Sequence, residues 1–95
     1  MELMSLAQIN KYMAKVPNWS LEDSGKSIIC VFEFAGFREA IDFINKIAEI
    51  AEQEAHHPSM KIYNNKVEIL LTTHSLGGLT EKDFNLAEKI DKINF

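Results

Sequence analysis

The chain carries three histidines, His56, His57 and His74, and all of them fall within 19 consecutive residues. Histidine is the side chain whose unperturbed pKa, ~6.5, lets it give or take a proton near neutral pH. Between the doublet and the single histidine runs an alternating strand pair from Met60 to Thr72, with Asn64-Asn65 as its turn. A hairpin folded there returns Thr72 to the neighbourhood of Pro58, so the three imidazoles gather at one open end although the sequence separates them.

Three chemistries compete for such a group. A metal site wants three or four ligands in a workable geometry. Adjacent His56 and His57 tend to point to different sides and no cysteine lies near them, so no metal is expected, although three-histidine zinc sites exist. A nucleophilic mechanism wants an activated hydroxyl or thiol beside a base. Thr73 and Ser75 flank His74, but neither sits in a strained nucleophile turn. Metal-free proton transfer by the imidazoles fits best, since it needs only acids and bases poised near neutrality. A lone histidine is more often a hydrogen-bonded structural ring, whereas a doublet and a third across one hairpin mouth favour catalysis.

Two acidic residues bear on the group. Glu52 stands four residues before His56, the spacing that lets a carboxylate face a ring along a helix and favour its protonated form. An ordinary place on the wet helix face would explain it equally well. Asp83 stands three residues after Thr80, and its first expected duty is to complete a helix cap, with substrate contact as an addition.

The elements that must hold these residues follow from periodicity. Ser5 caps a helix whose apolar residues Leu6, Ile9, Tyr12, Met13 and Val16 recur at spacings of three and four, and Pro17 closes it. Trp19–Glu22 and Ser27–Phe34 alternate around the turn residues Asp23-Ser24-Gly25. The spacing predicts a long helix over Phe37–Ala55 with a stripe of Phe37, Ala40, Ile41, Ile44, Ile47, Ala48 and Ala51. Pro58 stops it, leaving His56 and His57 at its negative end, where the dipole favours a positive charge. After the histidine hairpin come Gly77-Gly78 and a last helix with Phe84, Ala87, Ile90 and Ile93 inward. The fold class is therefore α+β, in the order α-β-β-α-β-β-α: a two-layer sandwich with a four-stranded antiparallel sheet and three helices on one face. The other face keeps Ile29, Val31 and Leu70, which implies a symmetric homo-oligomer, dimer or tetramer.

Composition narrows the function classes. Ninety-five residues, 46% of them hydrophobic, suit a single domain over 1–95 that needs no staple. A net charge of −4 with no basic run argues against a nucleic-acid partner. The single cysteine, Cys30, sits inside an apolar strand pattern and reads as a buried thiol in a reducing compartment. No stretch approaches the ~20 apolar residues of a membrane span, and no basic-then-apolar leader opens the chain. A cytoplasmic protein without a membrane partner is expected.

At the histidines the chain resembles the pterin-4a-carbinolamine dehydratases. The resemblance rests on an acidic residue, three spacers and His-His-Pro, here Glu52 and His56-His57-Pro58. Asn65-Lys66-Val67, Thr73-His74 and the run Gly78 to Phe84 follow at matching spacings. Pro17 to Trp19, Gly25-Lys26 and Phe32 to Phe34 extend the likeness to nearly the whole chain. It implies a four-stranded sheet with helices on one face in dimers or tetramers, and no cofactor. The implied substrate is a small molecule, a 4a-hydroxytetrahydropterin, dehydrated to the quinonoid dihydropterin. By the same resemblance His56 and His74 are the acid–base pair and His57 orients or polarises the pterin. Pro58, Thr73 and Ser75, with Glu52 and Asp83, are the candidate substrate-binding residues.

Two departures touch the pocket. Family members often carry tyrosine where this chain has Asn64, with Tyr63 one position earlier, and many have an acidic residue in place of Ser75. A rival reading is a non-enzymatic dimerisation, assembly or transcriptional cofactor on the same fold. Retention of all three histidines favours the enzyme, while no sequence feature marks a protein partner.

Overall fold

The computed structural model describes residues 1–94. Its elements run α1 (Leu6–Met13), β1 (Ser20–Leu21), β2 (Ile28–Glu33), α2 (Phe37–Glu54), β3 (Ser59–Tyr63), β4 (Lys66–Leu71), a 3-10 turn (His74–Leu76) and α3 (Glu81–Asp91). The expected element order is thus present, with the 3-10 turn added. All strand pairs are antiparallel, in the order β1-β2-β4-β3. The centre of the sheet is the β2–β4 pair, which joins the two hairpins.

Alternation decides which side chains face the helices. Ile28, Cys30, Val67, Ile69 and Leu71 point one way and are buried, with Phe32 partly so. Phe43 of α2 lies against Phe32 and Phe34 at ring-centroid distances of 4.8 and 4.9 Å. That cluster sets the rotation of α2 and corrects its expected stripe. The buried residues are Ala40, Phe43, Ile47 and Ala51, a clean three-and-four spacing, whereas Phe37 is 55% exposed and Ala48 is also outside. A phenylalanine packed against two aromatic rings at the end of β2 outcompetes an alternative face built from smaller contacts. Phe84, Leu86, Ala87 and Ile90 bring α3 onto the same core. Trp19 is anchored at both ends, its ring in the core and its Nε1–H donating to Asp91 at 3.0 Å.

Local chemistry fixes the ends of the elements. Ser5 and Gln8 form the reciprocal cap of α1. Asn64 adopts φ 56° in the two-residue loop between Tyr63 and Lys66, a left-handed conformation that asparagine tolerates well. On the sheet face away from the core, Ile29 opposes Leu70, both half-buried, and Val31, 54% exposed, opposes Glu68. Lys61 neighbours Glu68 on that face, so the apolar residues there are interleaved with charge.

Candidate active site

The site begins where α2 ends. Ala55 takes a left-handed conformation, φ 51° and ψ 40°, and its N–H donates to the Glu52 carbonyl while the His56 N–H reaches back to Ala51. This pair of bonds is a Schellman closure. It turns the chain sharply, so His56 and His57 lie beyond the helix and diverge.

His56 turns inward. Its side chain is 10% exposed, and Nε2 lies 2.6 Å from Oδ1 of Asp83, which is 0% exposed. Asp83 occupies the first turn of α3. Its Oδ2 accepts from the Thr80 backbone N–H at 3.0 Å and from the Thr73 hydroxyl at 2.9 Å. Thr80 and Asp83 also form the capping box of α3, as the sequence spacing predicts. His57 turns outward and pairs through Nε2 with Glu52 on the solvent-facing side of α2.

These pairings revise the expectation for Glu52. It faces His57 and not His56, because the reversal at Ala55 removes His56 from the helical row that begins at Glu52. The carboxylate on His56 comes from 27 residues away. An i, i+4 argument assumes helix geometry that stops just short of the histidine, so it could not find this partner.

His74 arrives from the opposite side. The β4 strand ends at Leu71, and Thr73 pairs with Gly78 through an isolated bridge that closes a small loop. His74 opens the 3-10 turn inside that loop, and Gly77 at φ 70° completes the reversal. Among the described residues the His74 ring has no hydrogen-bond or charge partner and stands exposed.

A cleft of about 260 Å³ lies between the two arms, lined by His56, His57, Thr73, His74 and Ser75 together with Ala55, Thr72, Lys82 and Met1. The hairpin mouth therefore gathers all three histidines as the sequence implies. Pro58, Glu52 and Asp83 are not among the lining residues. Asp83 has no surface to offer a ligand, since both its oxygens are engaged below the floor. Thr73 reaches the cleft wall, but its hydroxyl is spent on Asp83. Thr72 lines the cleft because the hairpin turn returns it to the mouth, whereas Lys82 reads in sequence as a solvated residue of α3, with nothing in its spacing to mark a cleft.

Proton positions follow from the partners. A carboxylate only accepts, so His56 must donate through Nε2–H, and its exchangeable site is Nδ1. Nδ1 has no partner among the described residues. The arrangement offers one ring held by a buried carboxylate and one unattached ring across the same small cleft.

The chain as a whole is similar to known proteins. The family model described as Pterin 4 alpha carbinolamine dehydratase matches residues 2–93. A protein of Chloroflexus aggregans, named "Putative pterin-4-alpha-carbinolamine dehydratase", is 47% identical over 93 residues, covering 98% of each chain. A crystal structure from Brucella melitensis, titled transcriptional coactivator/pterin dehydratase, superposes with a TM-score of 0.90 at 30% identity, over 95% of this chain and 96% of that one. A pterin dehydratase-like protein identified as a RuBisCO assembly factor shares the fold, with a TM-score of 0.67 at 20% identity over 78% of this chain and 86% of that one. By the extent of these matches, the chain belongs to the pterin-4-alpha-carbinolamine dehydratase family.

Proposed function

We propose that this protein dehydrates a 4a-hydroxytetrahydropterin to the quinonoid dihydropterin and water, by proton transfer between imidazoles and substrate. The observation that carries the reading is the cleft that His56 and His74 share, with Nε2 of His56 committed to buried Asp83. Its volume of about 260 Å³ is just below the usual range for small-molecule sites, which suits a compact bicyclic ring.

In the reaction the carbon–oxygen bond at the 4a position breaks, and the hydroxyl leaves as water after receiving a proton from one imidazolium. The adjacent ring nitrogen loses its proton to the other imidazole, and its electron pair forms the new carbon–nitrogen double bond. His56 holds or yields the proton at Nδ1, while Asp83 balances the charge of the protonated ring and keeps its orientation. His74, whose ring has no partner among the described residues, serves as the complementary acid or base. His57, held outward by Glu52, sits at the rim and orients the pterin, with Ser75 beside His74. Each imidazole ends the cycle one proton different from its start, and solvent resets both.

The direct test is the rate at which purified protein converts freshly generated 4a-hydroxytetrahydropterin, measured over the spontaneous dehydration. Acceleration that scales with protein concentration is expected. A rate equal to the uncatalysed one would favour the non-enzymatic reading, to which the coactivator name of the Brucella melitensis protein lends support.

A further inference from the structure

We propose that Thr73 and Thr80 are positioning residues that fix the proton on His56. The inference rests on the dehydratase reading only for its effect on turnover.

The two hydroxyls lie 2.8 Å apart in the buried floor, with Thr73 4% and Thr80 0% exposed. Direction along the chain is determined by valence. The single hydroxyl proton of Thr73 goes to Asp83 Oδ2, because a carboxylate cannot donate. Thr80 must then donate to Thr73, and its own oxygen accepts the Asp83 N–H through the capping box. The Thr80 N–H supplies the second donor to Oδ2. Oδ2 is thereby saturated from two sides, the carboxylate plane cannot rotate, and Oδ1 is left for His56 alone. No buried side-chain nitrogen or oxygen among the described residues lacks a partner, so the network has no slack to take up a different arrangement. By holding Asp83 in this orientation, the hydroxyls keep its Oδ1 on the Nε2–H of the neutral ring and leave Nδ1 for the proton that moves. Neither hydroxyl is free to bind substrate.

The test reads the tautomer of His56 by its ring 15N shifts, beside turnover. In the unaltered protein the Nε2–H tautomer is expected. Thr73→Val keeps the shape and removes the donor. It should give a mixture of tautomers and lower kcat roughly tenfold, with KM within about twofold. Thr73→Ser should restore both. Should the valine variant not fold, Thr73→Ala removes the same hydroxyl with less bulk and is read the same way. An Nδ1–H ring in the unaltered protein overturns the proposal, as does a hydroxyl-free variant with unchanged tautomer and kcat. A tautomer that shifts as expected, in a protein that never accelerates dehydration, sustains the positioning role and defeats the dehydratase reading.

Discussion

His56 and His74 reach one cleft with different support, and their variants should differ accordingly. A general acid or base contributes typically 10²–10⁴-fold, so His74→Ala should lower kcat by about that range with little structural cost, since among the described residues its ring has no partner to orphan. His56→Ala should lower kcat similarly and also destabilise the fold, because Asp83 stays buried with one oxygen unpaired. His57→Ala should raise KM more than it lowers kcat, as expected for a rim residue that orients substrate. Steady-state kinetics with the spontaneous rate subtracted, beside denaturant unfolding, would separate the three. Cys30 gives a prediction about stability. Burial chiefly, with Asp91 nearby, pushes its thiol up to about 11, partly offset by the Val31 backbone hydrogen bond. The folded protein therefore keeps a proton that the unfolded chain loses above its ordinary value of ~8.5. Stability from this group is complete below that pH and falls as pH rises towards 11. Unfolding midpoints compared between the unaltered protein and Cys30→Ala should converge over that window, and a constant difference would contradict the assignment.

At the scale of elements, the reversal after α2 delivers both members of the doublet. Ala55 holds a left-handed conformation that costs a residue with a side chain about 1 kcal/mol relative to glycine. Ala55→Gly should therefore raise the melting temperature by several degrees without displacing the histidines. A lowered melting temperature would mean that the Ala55 methyl group contributes more by packing than the strain removes. The same turn shows where sequence reasoning reaches. Caps, turns and strands were legible because Ser5, Thr80, Asp83, Gly25 and Asn64 carry their own local chemistry, and alternation separates Ile28 and Cys30 from Ile29 and Val31. The hairpin mouth was legible because a two-residue turn fixes register. What stayed hidden were contacts set by tertiary structure. Asp83 binds His56 because α3 docks its first turn under the end of α2, a meeting that no spacing encodes. Phe43 displaces Phe37 from the core because Phe32 of β2 and Phe34 just beyond it lie opposite.

For the molecule as a whole, exposed Val31 with half-buried Ile29 and Leu70 on the sheet, and exposed Phe37 on α2, support the proposal that copies of the chain associate symmetrically. Sedimentation at micromolar concentration should show a dimer or tetramer, and a lone monomer would contradict it. Proton transfer by the imidazoles needs no metal ion, so a chelator should leave turnover unchanged. Loss of turnover on chelation, with stoichiometric metal found by elemental analysis, would replace proton transfer by metal chemistry. The central claim is that two imidazoles facing one cleft move the protons of dehydration. Rapid-mixing turnover of the folded His56→Ala, His74→Ala double variant tests it most directly. The rate should fall to the spontaneous dehydration of 4a-hydroxytetrahydropterin, and a double variant that keeps most of the original turnover would contradict the claim.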